Sequence, residues 1–313
     1  MQNVTGREFD MGTLDGRVAI VTGAGRGIGR SVAKLLASEG ASVVVNDLGV
    51  QVDGTTPDAG PADDVVSEIE ANGGRAVANH ASVADYDAAE DIIRQALDAY
   101  GKLDVLVNVA GILRDRMVFN MNEEEWDSVI DVHLKGTFNT TKYASIYWRQ
   151  AREGDYRLIN FTSVSGLSGA PGQPNYAAAK LGIVGLTYSC ANALTRYGVT
   201  ANAISPGAAT RMGDTIPPDR RRGGFAERDE RELSPDNVAV PVAYLASTDS
   251  DWINGQVVHS TGYAISLYNQ YAPIRTLQGN EPWTIATASK RMKEVFQPAI
   301  EGSSSYAQRR EES

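Results

Sequence analysis

The sequence predicts an α/β fold in which a single doubly wound parallel sheet of about seven strands carries helices on both faces. Short apolar runs alternate with longer segments whose apolar residues recur at helical spacing, a pattern typical of parallel sheets covered on both sides. The runs are rich in β-branched residues, as strands buried on both faces require. Because no internal repeat and no second set of strands follows, we expect one domain over 1–313.

The predicted strands are apolar runs of five to seven residues. In an open α/β sheet, ligands bind at the carboxyl ends of the strands. The runs lie at 17–22, 41–47, 75–79, 103–108, 156–162, 199–204 and 256–260.

The predicted helices fill the intervals between these strands. In one of them Ile92, Ile93 and Ala96 recur at helical spacing, and another begins with Asn122 and Glu125 at the spacing of a capping box. The helical segments are 28–39, 62–72, 85–100, 122–150, 174–197 and 235–247.

Three stretches interrupt the alternation of strands and helices. The segment 48–61 is rich in Gly, Pro and Asp, and 211–232 combines Pro and Gly with dense mixed charge. We expect a core over 14–262, with 211–232 as a lid over the substrate because loops poor in apolar residues often cover binding sites. The third stretch, 264–313, is expected to be a C-terminal extension whose last twelve residues, from 302, are disordered.

The composition excludes several classes of function. Lys and Arg total 29 against 39 Asp and Glu, a net charge of −10, which argues against binding nucleic acid or an anionic membrane surface. The only cysteine, Cys190, excludes an internal disulfide, and with three histidines it leaves no plausible metal site. Residues 1–16 lack an apolar segment and no 18-residue apolar run occurs, so we expect a cytoplasmic protein.

A glycine-rich loop follows the first predicted strand and opens the first helix. Backbone amides and a helix N-terminus in this position favour a dinucleotide diphosphate; the alternative is a glycine-rich turn without a ligand. The spacing is T-G-x-x-x-G-x-G, since a residue other than glycine occupies the sixth position counted from the first glycine. The candidate cofactor residues are Gly23, Arg26, Gly27, Ile28 and Gly29.

Asp47 closes the second predicted strand, 18 residues after Gly29. A carboxylate there accepts hydrogen bonds from an adenosine ribose and repels a 2′-phosphate, so it favours NAD over NADP. Arg26 argues the other way, because a guanidinium in the loop is able to pair with that phosphate. We give more weight to Asp47, whose other interpretation is a turn-capping aspartate.

Tyr176 and Lys180 lie four residues apart in a predicted helix and project from the same face. A cation within about 4 to 6 Å lowers the pKa of a phenol, so the pair predicts a proton shuttle. Ser163 lies 13 residues before Tyr176, at the carboxyl end of a predicted strand. Its hydroxyl is able to hold a substrate oxygen.

These residues, in this order, resemble the short-chain dehydrogenase/reductase family over about 14–262, and the resemblance implies a Rossmann-type fold. It also implies roles: Tyr176 exchanges a proton with the substrate oxygen, Ser163 orients that oxygen, and Lys180 lowers the tyrosine pKa and holds the nicotinamide ribose. Further cofactor contacts implied by the family motifs are at Asn108, Ala110, Gly111, Tyr176, Lys180, Pro206, Gly207 and Thr210.

Two positions depart from the family pattern. Val109 replaces the second Asn of the motif N-N-A-G, and His133 falls where the family has an active-site Asn that supports a proton relay. An imidazole is able to serve such a relay as donor or acceptor. His133 is therefore a candidate catalytic residue, with a structural histidine satisfied by its neighbours as the alternative.

A narrower resemblance is to the (3R)-hydroxyacyl-CoA dehydrogenase domain of multifunctional β-oxidation enzymes, a group that overlaps with 17β-hydroxysteroid dehydrogenases. It implies NAD-dependent oxidation of a 3-hydroxyacyl-CoA, with a hydroxysteroid as the alternative lipid-type substrate, and a homodimer or homotetramer. A non-catalytic dinucleotide sensor is the alternative of another class, against which Ser163, Tyr176 and Lys180 argue. The motifs are N-D-L-G (46–49), G-I-L-R-D-R (111–116), D-V-H-L-K-G-T-F (131–138), N-Y-A-A-A-K-L-G (175–182) and A-T-R-M (209–212).

The substrate side offers weaker signals. Met117, Val118, Phe119 and Met212 are candidates for an apolar slot beneath the lid. The run 220–222, three arginines, is able to contact the phosphates of coenzyme A, although a charged loop is more often simply solvated. Aromatic residues after the last predicted strand indicate that the tail packs back or against a partner chain; they are Tyr263, Tyr268, Tyr271 and Trp283.

Overall fold

One sheet organises the computed structural model, which describes residues 12–55, 60–152, 154–208 and 229–301. Over these residues it has eight strands in the order β3-β2-β1-β4-β5-β6-β7-β8. All neighbours are parallel except β7 and β8, which confirms the predicted fold class. The strands are β1 Val18–Thr22, β2 Ser42–Asn46, β3 Arg75–Asn79, β4 Val105–Asn108, β5 Tyr156–Phe161, β6 Val199–Gly207, β7 Val257–Thr261 and β8 Ala264–Leu267.

The helices follow the predicted alternation, but one predicted helix is divided, and two further helices, Val164–Ser168 and Ile285–Glu301, are not predicted from the sequence. The predicted helix 122–150 is two helices, α4 and α5, joined by a π-helical turn at Asp131–Lys135, because an inserted residue widens the helix there. The helices are α1 Gly27–Ser38, α2 Gly60–Ala71, α3 Tyr86–Tyr100, α4 Glu123–Ile130, α5 Gly136–Ala151, α6 Val164–Ser168, α7 Pro174–Leu194, α8 Asp236–Ala246 and α9 Ile285–Glu301.

The eighth strand lies where the sequence predicts the start of the extension. Thr261 pairs with Ala264, so two residues make the turn, and Gly262 adopts a φ of +55° there. Every residue of β8 is exposed, and the strand is antiparallel at the edge of the sheet. It therefore lacks the buried apolar signature by which the other strands are recognised.

Two apolar layers cover the sheet. In β1, Ala19 and Val21 belong to a core that includes α1, α2 and α8, whereas Val18 and Ile20 belong to a core that includes α3 and α5. All four side chains are at most 3% exposed. Burial of successive residues on opposite faces explains why the strands appear as continuous apolar runs rather than as alternating patterns.

A row of polar residues crosses the sheet at the carboxyl ends of five neighbouring strands. Register pairs Asn79 with Asn46, Asn46 with Thr22, Thr22 with Asn108, and Asn108 with Asn160. All five are at most 8% exposed. Asn46 donates to Asn79 at 2.7 Å and Asn108 donates to Asn160 at 2.9 Å, so the row is satisfied internally. It separates the apolar core from the site above it.

The chain divides into two compact units, Met1–Tyr268 and Asn269–Ser313. The second includes α9, none of whose residues is buried. The second unit begins close to residue 264, where the sequence predicts the start of the C-terminal extension. The expectation of a single domain stays a prediction.

Most of the proposed lid, 211–228, and the tail from 302 lie outside the described residues. Among the helices that are described, none has the length and apolar character needed to cross a membrane.

Candidate active site

The predicted catalytic side chains meet at the carboxyl edge of the sheet. Ser163 follows β5 and is the N-cap of α6, with an extended backbone (φ −157°, ψ 154°). Its Oγ accepts a hydrogen bond from the Ser165 amide at 3.2 Å. It also lies close enough to the Tyr176 hydroxyl to act on the pKa of that group. The structure thus brings together the serine and tyrosine that the sequence places 13 residues apart.

Lys180 lies one turn along α7 from Tyr176, as predicted. Its side chain is 4% exposed, and Nζ donates to the Phe161 carbonyl at 2.8 Å while lying 5.6 Å from the centroid of the Tyr176 ring. The Thr162 hydroxyl donates to the Lys180 carbonyl at 2.7 Å. These two bonds fasten α7 to the end of β5.

The pKa of Tyr176 differs from the predicted direction. Burial raises it to about 12, the neighbouring Ser163 hydroxyl acts to lower it, and the Asp115 charge raises it. Burial also lowers the pKa of Lys180 to about 7. Desolvation therefore outweighs the attraction that the sequence leads us to expect, because it disfavours the charged forms of both groups. Near neutral pH Tyr176 keeps its proton and is poised as an acid.

His133 lies in the π-helical turn and is 1% exposed. Its Nε2 is 2.8 Å from the Ile112 carbonyl oxygen and 3.1 Å from the Ile112 nitrogen. The ring meets that of Tyr176 edge-on, with centroids 5.1 Å apart. Burial, followed by the charge of Lys180, places the pKa of His133 well below its usual value, so the imidazole is neutral. Its Nδ1 is buried and has no partner among the described residues.

The position of the His133 ring also explains why the last residue of the N-V-A-G motif, Gly111, is a glycine. A Cβ at Gly111 would lie 2.1 Å from His133 Cε1. The single nitrogen Nε2 is able to donate to the Ile112 carbonyl or accept from the Ile112 amide, but it is not able to do both. The side chain therefore braces the loop after β4 directly beside Tyr176.

The glycine loop is shaped by close contacts within the chain. Gly23 has a φ of +63°, and a Cβ there would lie 2.7 Å from Ala110 Cα. At Gly29 a Cβ would lie 2.1 Å from the Gly23 carbonyl oxygen. The N-cap of α1, Arg26, makes no side-chain capping bond, so the amides of the first turn are able to bind a diphosphate. Gly27 and Ile28 begin this helix.

Asp47 lies directly after β2 and joins two loops. Oδ2 accepts from the Gly25 amide and Oδ1 from the Gly49 amide, both at 2.8 Å. The Arg26 guanidinium donates to the Val50 carbonyl at 3.2 Å. Asp47 is thus both a turn cap and a carboxylate beside the glycine loop. A cavity of about 400 Å³ opens here, lined by Gly25, Arg26, Gly27, Arg30, Pro61, Asp64, Val65 and Glu68.

The remaining predicted cofactor residues lie at the ends of β4 and β6 or outside the described residues. The side chain of Asn108 is bonded to Asn160 and accepts from the Thr140 hydroxyl at 2.7 Å, so its amide serves the protein interior. The Ala110 amide donates to Thr22 Oγ1 at 3.2 Å. Pro206 and Gly207 are half-buried at the end of β6. Thr210, Met212 and the arginines 220–222 lie outside the described residues.

Sequence reasoning missed a polar clamp at the start of α7. Asn175 is fully buried, and its Nδ2 donates to the carbonyls of Arg114 at 3.0 Å and Glu125 at 2.9 Å. Its Oδ1 accepts from the Tyr176 amide at 2.7 Å. The position was visible in N-Y-A-A-A-K, but an asparagine beside a catalytic tyrosine has no spacing signal that reveals which loops it joins.

The chain matches the family model described as short chain dehydrogenase over residues 17–221. This chain belongs to that family. Its members are oxidoreductases that typically bind NAD or NADP, and the eight-stranded sheet agrees with this membership. The resemblance stated from the sequence is therefore confirmed.

Individual relatives extend the comparison. The chain is 44% identical over 267 residues to "Hydroxyacyl-CoA dehydrogenase ChsB1" of Mycobacterium tuberculosis, covering 81% of this chain and 80% of that one. It is 42% identical over 246 residues to "3-oxoacyl-[acyl-carrier-protein] reductase FabG" of Staphylococcus aureus, covering 78% and 96%. A crystal structure of a short chain dehydrogenase from Mycobacterium avium has 43% identity and a TM-score of 0.80, covering 91% of this chain and 96% of that one.

Proposed function

We propose that the protein oxidises the secondary alcohol of a 3-hydroxyacyl-CoA to the ketone with NAD as the hydride acceptor. The observation that carries the reaction type is the convergence of Ser163, Tyr176 and Lys180 at the carboxyl edge of the sheet. The thioester substrate is supported by the motif resemblance and by the relative named hydroxyacyl-CoA dehydrogenase. A homodimer or homotetramer in the cytoplasm stays part of the proposal.

The residues present fit a dinucleotide. The contacts at Gly23 and Gly29 leave no room for a Cβ, and the uncapped start of α1 offers amides to a diphosphate. Asp47 supports NAD over NADP because its carboxylate would repel a 2′-phosphate and accept from a ribose hydroxyl. Arg26, the residue that favours NADP, is engaged with Val50. A nicotinamide held there would supply the acceptor for the hydride that leaves the substrate carbon.

The chain's own residues manage the proton and the position of the alcohol. Ser163 holds the substrate oxygen, and Tyr176 accepts the hydroxyl proton as a general base. With a pKa of about 12, Tyr176 is protonated near neutrality, so oxidation needs its ionisation and is favoured at high pH. Burial lowers the pKa of Lys180 to about 7, so its charge supports the phenolate below about pH 7 and is lost as the pH rises into the range that favours oxidation. His133 braces the loop beside this pair.

A second candidate is reduction of a 3-oxoacyl thioester. The relative named 3-oxoacyl-[acyl-carrier-protein] reductase supports it, and a Tyr176 that keeps its proton near neutrality is suited to donate one. Both candidates act on the same carbon of the same kind of thioester. A hydroxysteroid remains the alternative outside thioesters, since Ser163, Tyr176 and Lys180 handle any secondary alcohol or ketone.

The deciding experiment measures NAD(P)H formation by the full chain. The substrates are (3R)-hydroxyacyl-CoAs of several lengths, a 17β-hydroxysteroid and a simple secondary alcohol, each with NAD and with NADP. We expect the highest kcat/KM for a hydroxyacyl-CoA with NAD. A higher value for the steroid than for every thioester would overturn the substrate, and equal or better use of NADP would overturn the cofactor.

A further inference from the structure

A carboxylate that the proposed reaction does not use is joined to the catalytic serine. Asp115 lies in the loop after β4, and its Oδ2 accepts from Gln173 Nε2 at 2.8 Å. Gln173 Oε1 accepts from the Ser165 hydroxyl at 2.9 Å, and the Ser165 amide donates to Ser163 Oγ at 3.2 Å. Three hydrogen bonds therefore connect Asp115 to the residue that holds the substrate oxygen.

The loop that carries Asp115 is fixed in place. The Arg116 amide donates to the Gly172 carbonyl at 2.8 Å, and Asn175 binds the Arg114 carbonyl. Asp115 is thus tied to the start of α7 through its side chain and through the backbone of both flanking residues. Tyr176 lies three residues after Gln173 in the chain. The bond to Gln173 therefore holds the Asp115 carboxylate at a defined position relative to Tyr176.

The charge of Asp115 is not neutralised by a nearby base in the described ranges. Of the flanking arginines, Arg116 pairs with Glu125 at 3.0 Å, and no ion pair to Asp115 is formed by the residues that the structure describes. The effect reaches the reacting group, since the Asp115 charge raises the pKa of Tyr176. A second negative charge brought beside Tyr176 would be opposed in the same direction.

A free 3-hydroxy acid brings such a charge. When its hydroxyl is held by Ser163 and Tyr176, its carboxylate is two bonds from the reacting carbon and lies within a few ångströms of these residues. A thioester or ester of the same acid is neutral at that position. Asp115 is exposed, so solvent screens part of the repulsion between the two like charges, and we expect it to be worth up to about tenfold in rate.

We propose that Asp115 makes the site select neutral carboxyl derivatives, esters and thioesters, against free 3-hydroxy acids. The inference rests on the proposed function, whose substrate class it deepens. It assigns the discrimination to the acyl end of the substrate, at the catalytic residues themselves. The phosphates of coenzyme A are not needed for it.

The test compares two small substrates that lack phosphate. They are the N-acetylcysteamine thioester of 3-hydroxybutyrate, which is neutral, and free 3-hydroxybutyrate. The variant Asp115→Asn keeps an oxygen that accepts from Gln173 and removes the charge. We expect it to raise the kcat/KM of the acid relative to that of the thioester by up to about tenfold. The matched control is Asp98→Asn, which removes an exposed carboxylate of α3 and should leave the ratio unchanged.

A second readout separates charge from structural damage. The groups that face Tyr176 are Ser163, His133, Lys180 and Asp115, and the first two carry no charge. In Asp115→Asn the rise of thioester oxidation with pH should begin at lower pH, because the charge opposing the phenolate is gone. If Asp115 had only a structural role, Asp115→Asn would lower the kcat/KM of the acid and of the thioester alike. It would change neither their ratio nor the pH at which thioester oxidation begins to rise.

The outcomes distinguish the inference from the proposed function. A wild-type enzyme that oxidises the thioester, with a ratio unchanged by Asp115→Asn, overturns the inference alone. A wild-type enzyme that oxidises neither compound and no hydroxyacyl-CoA overturns both. A changed ratio with the shifted pH limb supports the inference.

Discussion

The glycine loop after β1 and the catalytic cluster after β5 are held in place by different kinds of contact. The loop is positioned by close approach of backbone to backbone, with no room for a Cβ at Gly23 or Gly29. The cluster is positioned by side-chain hydrogen bonds that join β5 to α7, as at Thr162 and Lys180. Substitutions in the loop should therefore disturb its backbone conformation and lower stability. Substitutions in the cluster should reduce catalysis and leave the fold intact.

Tyr176→Phe tests the cluster most sharply. The variant loses only the hydroxyl, so we expect normal unfolding and NADH binding with turnover reduced by about 10² to 10⁴-fold. Steady-state kinetics together with fluorescence titration of NADH check both parts. Near-normal turnover in the folded variant would exclude the proposed proton transfer.

Gly23→Ala tests the loop. The added methyl meets Ala110 at 2.7 Å and the backbone φ is +63°, so we expect a loss of about 2 to 4 kcal/mol in the free energy of unfolding. Cofactor binding should weaken in parallel. Gly185→Ala is the control, since nothing lies within 4 Å of its Cβ. Equal stability of the two variants, measured by denaturant unfolding, would contradict this account of the loop.

The pH dependence of oxidation reports on the cluster alone. Burial raises the pKa of Tyr176 to about 12, so the ionised fraction grows tenfold per pH unit below that value. We expect kcat/KM for oxidation to rise between about pH 7 and 10, whereas reduction, which uses the protonated form, should not rise. A flat oxidation profile would show that another step or another base sets the rate.

Asp47→Ser acts beside the glycine loop, at the end of β2, on the side of β1 away from the catalytic cluster. The carboxylate would no longer repel a 2′-phosphate, so the ratio of kcat/KM for NADP to that for NAD should rise by roughly tenfold or more. Asp53→Ser, which changes the same charge in the neighbouring loop, is the matched control. A ratio unmoved by Asp47→Ser would assign cofactor choice to other residues.

His133 should give the smallest effects. In His133→Asn, an amide is able both to accept from the Ile112 amide and to donate to its carbonyl, so we expect activity within a few-fold of the parent. His133→Leu leaves both groups unpaired and should reduce kcat by roughly tenfold. Both variants should be compared by their unfolding midpoints. Indifference of activity to both changes would leave His133 a structural residue.

The sequence predicts the regions of the molecule unequally. The parallel strands, the glycine loop and the order of Ser163, Tyr176 and Lys180 are readable because apolar runs and residue spacing are local properties. The π-helical turn around His133 is not readable, since it depends on what α4 and α5 pack against. The antiparallel β8 is missed because an exposed edge strand carries no burial pattern.

Electrostatics are the least predictable part of the site. The four-residue spacing of Tyr176 and Lys180 is correct, yet the direction of the tyrosine pKa is not, because spacing does not reveal how deeply both groups are buried. Asp115 and Gln173 come from different loops, and only the folded chain joins them. The thioester substrate and the choice of NAD stay proposals.

The polar row across the sheet has a consequence for how the chain aligns itself. Two parallel strands are able to slide by two residues without turning any side chain to the opposite face, so apolar burial alone specifies their alignment weakly. Such a slide between β4 and β5 would separate Asn108 from Asn160 and strand two buried amides, a cost of several kcal/mol. These amides therefore fix the alignment of β4 with β5, and so the level at which these two strands end beneath Ser163, Tyr176 and Lys180.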